Sequence, residues 1–265
     1  MTSHPTAVGT SAISAADTRV PLRSRRRDLT ELAVGYVLIL LVIWTPRPWQ
    51  RLFYLAATAW IAAITSLSFN GWKSMGLRLA NSLRSLWIVA VALLLAAAAI
   101  LIAARLHTLH RPLDPAELVK LYWGYAIWSF LQQFLLQNFF LLRLLRLLPA
   151  SPTAAVIAAA SLFSLAHLPN PILTPVTLLW GFVACQLFLR YRNLYPLAIA
   201  HAIFGICVSI TIPASLIHNM RVGLGYLKWH PRHTHHLSQN DHIVSTAACV
   251  IADAPTLRSS LHARP

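Results

Sequence analysis

The architecture of the chain follows from one stretch, Trp128-Ser-Phe-Leu-Gln-Gln-Phe-Leu-Leu-Gln-Asn138, which lies within an apolar run from about Leu118 to Leu148. Amide side chains in hydrocarbon are costly unless each finds a hydrogen-bond partner, so this stretch predicts a helix inside a bundle. On a helix Gln133 and Gln137 lie one turn apart on the same face, with Gln132 about 100° to one side. The partners that we expect are His167 and His201.

The composition excludes a soluble globular protein. Hydrophobic residues make up 57% of the 265 residues, charged residues make up 11%, and the mean hydropathy is +0.60. Apolar runs near the ~20 residues that a bilayer crossing requires recur along the chain, so we expect an all-α polytopic helical membrane bundle. The net charge of +15 comes from residues at the ends of these runs and in the tails. Such positions favour contact with membrane lipids and argue against nucleic-acid binding.

Seven runs are expected to span the membrane within a bundle over residues 29–215. A disordered tail, residues 1–28, precedes the bundle, and a polar basic tail, residues 216–265, follows it. Asp114-Pro115 predicts the start of the fourth helix. An eighth membrane element at about 214–227 would return the basic C-terminal tail to the inner side, which leaves the count at seven or eight. The predicted spans are 31–44, 49–69, 86–104, 118–148, 153–167, 173–189 and 194–212.

Lysine and arginine counts near the span ends predict the orientation of the bundle. With the N-terminus inside, eleven of these residues fall on the cytoplasmic side and five on the other side. The positive-inside rule therefore favours a cytoplasmic N-terminus. We expect an integral protein of a bacterial inner membrane.

Three polar features have both a structural and a functional interpretation. The glutamines could join helices by hydrogen bonds alone, and His167, at the end of a span, could be an interfacial residue. His201 lies deep in the last span, where function is the default hypothesis for an ionisable group. The histidine-rich patch of the C-terminal tail could hold a metal, although a solvated tail is the simpler interpretation. This patch comprises His230, His233, His235 and His236.

Together these groups resemble the CPBP family of intramembrane endopeptidases, which includes CAAX prenyl endopeptidases and bacteriocin-immunity proteins. The family carries Glu-Glu-x-x-x-Arg on one span, Phe-x-x-x-His on the next, and His-x-x-x-Asn two spans further on. The order and spacing are similar here over residues 118–212. The corresponding positions are Gln132, Gln133 and Gln137, then Phe163 and His167, then His201 and Gly205.

The resemblance implies that Gln132, Gln133, Gln137, His167 and His201 form a catalytic site. It also raises the possibility of a divalent metal such as zinc, held by His167 and His201. Both family glutamates are glutamines here, and an amide cannot act as a general base near neutral pH. Losing such a base typically costs 10²–10⁴ in rate. Neutral amides and imidazoles also lack the anionic ligand that such a metal favours.

The resemblance favours an intramembrane endopeptidase that acts on membrane-anchored peptides, prenylated or not. From residues 118 to 240 the sequence has no carboxylate, and this favours a non-catalytic alternative that binds a lipidated or apolar peptide, as an immunity protein would. A small transporter is a third hypothesis. The sequence leaves open whether the protein is an enzyme and which oligomeric state it adopts.

Overall fold

The computed structural model describes residues 22–68, 71–72, 74–77, 82–109 and 114–230, and every regular element in these residues is helical. A π-helical segment, Leu135–Leu141, separates α4 from α5, and a 3₁₀ turn, His218–Met220, separates α9 from α10. The α-helices are α1 (Leu22–Trp44), α2 (Trp49–Leu67), α3 (Ser82–Arg105), α4 (Pro115–Phe134), α5 (Leu142–Leu147), α6 (Pro152–Leu165), α7 (Leu173–Tyr191), α8 (Tyr195–Thr211), α9 (Ala214–Ile217) and α10 (Gly223–Leu227).

Helix starts follow from local sequence chemistry. The Asp114 side chain accepts a hydrogen bond from the Glu117 backbone N–H, and Pro115 occupies the first turn, which confirms the predicted start of α4. Ser151 caps α6 in the same way by accepting from the Ala154 backbone N–H. These caps satisfy backbone donors that a helix end leaves without an intrahelical partner.

The bundle is organised around α8 and the π-helical segment. Helix α8 packs against α3 and α4, α1 pairs with α2, and α6 pairs with α7. The π-helical segment contacts α2, α6 and α7, and α5, which follows it, contacts α1 and α6. Alanines on α6 and Gly181 on α7 let these two helices approach closely, because a Cβ at Gly181 would lie 3.3 Å from Ala160 Cα.

The all-α class is confirmed for the described residues, whereas the count of seven or eight membrane spans stays a prediction. By length and hydropathy, Leu83–Arg105 and Leu173–Tyr191 can each cross a membrane. Helix α8 and the segment Ala214–Met220 meet the same criteria only together, and they bend by 120° at the break between them. Helix α6 has 14 residues, or about 21 Å, which is shorter than the ~30 Å hydrocarbon core.

The two ends of the bundle differ from the expected tails. Helix α1 begins at Leu22, so residues 22–28, which we assigned to a disordered tail, form its first turns. After α8, where we expected an eighth membrane element at about 214–227, the chain bends by 120° and forms two short helices and a 3₁₀ turn. The Gly223 backbone N–H donates to the Leu168 carbonyl at 2.7 Å, and α10 packs against α1. Residues 1–21 and 231–265, including His233, His235 and His236, lie outside the described residues.

Candidate functional site

Gln133 and His201 meet in the interior of the bundle. Gln133 is fully buried on α4 and His201 is buried on α8, and Gln133 Nε2 lies 3.0 Å from His201 Nδ1. An amide nitrogen can only donate, so His201 Nδ1 accepts and the neutral ring carries its proton on Nε2. The site therefore presents an imidazole N–H at His201 Nε2.

Gln137 extends this contact along the same helix face, as the one-turn spacing predicts. Its Nε2 donates to Gln133 Oε1 at 3.3 Å, which fixes the orientation of the Gln133 amide. Gln137 lies in the π-helical segment, where residues 136–141 are all buried. Its own Oε1 is buried without a hydrogen-bond partner. Gln132, by contrast, is only partly buried and takes no part in this network of described side chains.

His167 is oriented by the backbone of its own helix. It follows the C-terminal end of α6, and its Nδ1 lies 2.7 Å from the Phe163 carbonyl oxygen. A carbonyl oxygen only accepts, so His167 Nδ1 carries a proton and the neutral ring presents a lone pair on Nε2. The two histidines therefore have opposite roles at Nε2. His167 Nε2 can accept a proton, and His201 Nε2 can donate one.

Aromatic rings bring the two histidines into one cluster. The Phe163 ring centroid lies 4.9 Å from that of His167 and 5.9 Å from that of His201, both edge to face. The Trp180 ring lies 6.4 Å from His201. Trp180 Nε1 is buried without a hydrogen-bond partner, and a donor in that state is uncommon. Trp180 is therefore a residue of the candidate site that was not predicted from the sequence.

Tyr125 fills the space beside Gly205, one turn beyond His201. A Cβ built at Gly205 would collide with the Tyr125 hydroxyl and ring. The phenol therefore lies where the side chain of a larger residue at position 205 would begin. Sequence reasoning missed Tyr125, and the only signal was the glycine at a position where the related motif has asparagine.

A cluster of charged residues lies where α1 meets α5. Arg143 Nε lies 3.0 Å from Glu31, and its Nη1 donates to the carbonyl oxygens of Asn138 and Phe139 in the π-helical segment. Hydrogen bonding to Glu31 also raises the pKa of Arg27. The Glu31 carboxylate comes from α1, 112 positions before Arg143, so no local pattern indicated the contact.

A second ion pair joins the same two helices. Both oxygens of Asp28 accept from Arg146, at 2.6 and 2.9 Å, in a bidentate contact. The Arg146 side chain is 41% exposed, whereas that of Arg143 is 2% exposed. Both carboxylates of α1 are thus bound to arginines of α5, and neither contacts the Gln133–His201 pair.

The described residues do not fit a zinc site. Catalytic zinc is held by three protein ligands, and no group of three or more histidine, cysteine or acidic side chains that could hold a metal occurs in the described part of the chain. His201 presents a protonated Nε2, which cannot bind a metal. Within the described residues, His167 and His201 therefore lack the further ligand that a zinc site requires.

The central helices of the chain match a known protein family. Residues 115–207 match the family model described as type II CAAX prenyl endopeptidase Rce1-like. This range begins with α4 and includes Gln133, Gln137, His167 and His201. No curated protein and no solved structure matches the chain. Over residues 115–207, the chain is therefore similar to the type II CAAX prenyl endopeptidases of the Rce1-like family model.

Proposed function

We propose that this integral membrane protein is an endopeptidase that cleaves membrane-anchored peptides with two neutral histidines in place of a carboxylate base. One observation carries the proposal. The hydrogen bond from Gln133 Nε2 to His201 Nδ1 gives His201 the tautomer opposite to that of His167. A proton acceptor and a proton donor in one cluster are the two groups that peptide hydrolysis requires.

In the proposed reaction His167 Nε2 removes a proton from a water molecule, and the water oxygen attacks the carbonyl carbon of the scissile bond. His201 Nε2–H donates a hydrogen bond to the carbonyl oxygen as negative charge develops there, and Trp180 Nε1–H is available as a second donor. The C–N bond then breaks, and the proton held by His167 passes to the leaving amine. Gln133 acts as a positioning residue, because it holds the His201 tautomer.

The proposed substrate is a peptide whose lipid or apolar anchor lies in the bilayer. The site is built from α4, α6, α7 and α8 of a membrane bundle, so a soluble peptide would have to leave water to reach it. We further propose that the N-terminus faces the cytoplasm of a bacterial cell. Arg25, Arg27, Arg143 and Arg146 support this orientation because their contacts gather them at one end of the bundle.

The test is cleavage of prenylated and unprenylated membrane-anchored peptides by the full-length protein in liposomes. Wild type, His167→Ala and His201→Ala are compared, with peptide binding measured in parallel. We expect wild type to cleave, and each variant to retain binding while losing about 10²–10⁴ in turnover. Full activity in either variant would refute the site.

A non-catalytic protein that binds lipidated or apolar peptides is the second candidate. The observation that favours it is that the amide nitrogen and the amide oxygen of Gln133 both have hydrogen-bond partners within the protein. Such a protein would bind the same peptides without cleaving them, and His201→Ala would lower its affinity. Binding without turnover in the liposome assay would therefore select this function over the endopeptidase.

A further inference from the structure

A small polar cleft lies on the side of the π-helical segment that faces α2. Its volume is about 50 Å³, which exceeds the 10–15 Å³ that one water molecule requires. It is formed by the end of α2, by residues 68, 74 and 75, and by the π-helical segment and α5. Its polar lining consists of Thr65, Ser68, Ser74, Asn138, Arg143 and Arg146. We refer to it as the Arg143 cleft.

Three of these lining residues carry buried polar atoms without a hydrogen-bond partner. They are Arg143 Nη2, Thr65 Oγ1 and Asn138 Oδ1. Arg143 is 2% exposed, and its Nε and Nη1 are bound to Glu31 and to backbone carbonyls, so Nη2 alone remains unused. Buried polar atoms are almost always paired, so three unpaired atoms in one cleft indicate that a polar ligand belongs there.

The charges around the Arg143 cleft favour an anion. Among the described residues, the ion pairs and hydrogen bonds at this end of the bundle involve four arginines and two carboxylates, an excess of two positive charges. Arg25 and Arg27 lie on α1, and Arg143 and Arg146 lie on α5. Glu31 and Asp28 already bind these arginines. A guanidinium N–H and a threonine hydroxyl are donors suited to a phosphate oxygen.

Asn138 Oδ1 restricts the ligand further. It is an acceptor, because the Asn138 amide nitrogen already donates to the Met75 carbonyl at 3.2 Å. The ligand therefore needs a hydrogen-bond donor beside its negative charge. A phosphate group meets this requirement when it carries a proton or lies next to a hydroxyl, as in hydrogen phosphate or a glycerol-containing lipid headgroup.

We propose that the Arg143 cleft is a binding site for a phosphate group, supplied by an anionic lipid headgroup or by free inorganic phosphate. The site is separate from the Gln133–His201 pair, and the proposal does not depend on peptidase activity. Arg143 is the main ligand through Nη2, Thr65 donates through its hydroxyl, and Asn138 accepts from the donor on the ligand.

The experiment measures the melting temperature of the full-length protein in phosphatidylcholine nanodiscs. Inorganic phosphate is titrated against chloride at constant ionic strength. Thr65→Val is the test variant because it removes one unpaired hydroxyl and keeps the side-chain shape. Ser129→Ala is the matched control, since it also removes one buried hydroxyl but Ser129 does not line the cleft.

We expect phosphate to raise the melting temperature of wild type and of Ser129→Ala. For Thr65→Val, the phosphate concentration that produces the same rise in melting temperature should be about tenfold higher. This is the effect of losing one hydrogen bond to a charged group. Equal melting in phosphate and chloride, or an unchanged phosphate response in Thr65→Val, would overturn the proposal.

A second arm identifies the source of the phosphate group. Nanodiscs containing phosphatidylglycerol are compared with phosphatidylcholine nanodiscs in phosphate-free buffer. Stabilisation by phosphatidylglycerol that abolishes the response to added phosphate would assign the site to the lipid headgroup. An undiminished phosphate response in the anionic discs would assign it to free phosphate. The structure leads us to expect the first result, because the cleft lies at the arginine-rich end of a membrane bundle.

Discussion

Neutralising Glu31 should destabilise the bundle far more than neutralising Asp28, although both residues join α1 to α5. In Glu31→Gln the shape is kept but Arg143, 2% exposed, loses its carboxylate. At 3.0 Å and an effective dielectric constant of about 20, the lost attraction is about 5.5 kcal/mol. Breaking a buried ion pair typically costs about 3–5 kcal/mol, and we expect a loss in this range.

Asp28→Asn is the matched control for this prediction. It leaves Arg146 without a carboxylate, but that arginine is 41% exposed and can be solvated. Asp28 itself is buried and its contact is bidentate, so we expect a loss of about 1–2 kcal/mol, which is smaller than for Glu31→Gln because no buried charge is left unpaired. The difference in stability between the two variants is therefore set by burial of the arginine, and not by the N···O distance of the ion pair.

The assay is equilibrium unfolding of the purified protein in mixed detergent micelles, followed by circular dichroism in phosphate-free buffer. The double variant with Glu31→Gln and Arg143→Met should be more stable than Glu31→Gln alone, because no buried charge is then left unpaired. Equal losses of stability in Glu31→Gln and Asp28→Asn would contradict a dominant role for arginine burial. A double variant no more stable than the single one would refute it as well.

Three further predictions concern helix contacts and caps. Gly205→Ala should cost about 1–3 kcal/mol in unfolding free energy, because its Cβ collides with Tyr125, and adding Tyr125→Ala should recover part of that loss. Asp114→Ala should cost about 0.5–2 kcal/mol, since it removes the cap of α4, and circular dichroism during unfolding would measure it. Tyr122→Phe should cost about 0.5–1.5 kcal/mol by the same assay, because it deletes the 2.9 Å hydrogen bond to Ser209.

Local patterns in the sequence predicted most of the helices. The apolar runs located seven helical segments, and Asp114-Pro115 predicted the start of α4. The four-residue spacing of Gln133 and Gln137 predicted their shared face, and the hydrogen bond between them confirms that face. These features depend on residues close in sequence, where helical geometry alone sets the spacing.

Contacts between distant residues could not be predicted in the same way. Glu31 and Arg143 are 112 positions apart, and only the packing of α1 on α5 brings them together. The π-helical segment and the filling of the space at Gly205 by Tyr125 also depend on tertiary packing. The predicted end of the last span at residue 212 agrees with the end of α8 at Thr211, but the hydrophobic pattern did not predict the 120° angle between α8 and the segment after it.

Gln133, and not its neighbour Gln132, is expected to orient His201 for peptide cleavage. The most direct measurement is the turnover of a membrane-anchored peptide in liposomes by wild type, Gln133→Ala and Gln132→Ala. We predict that Gln133→Ala lowers turnover about 10²-fold, the typical cost of misplacing a catalytic group, while Gln132→Ala stays within about twofold of wild type. Equal losses in the two variants, or no turnover by wild type, would contradict the claim.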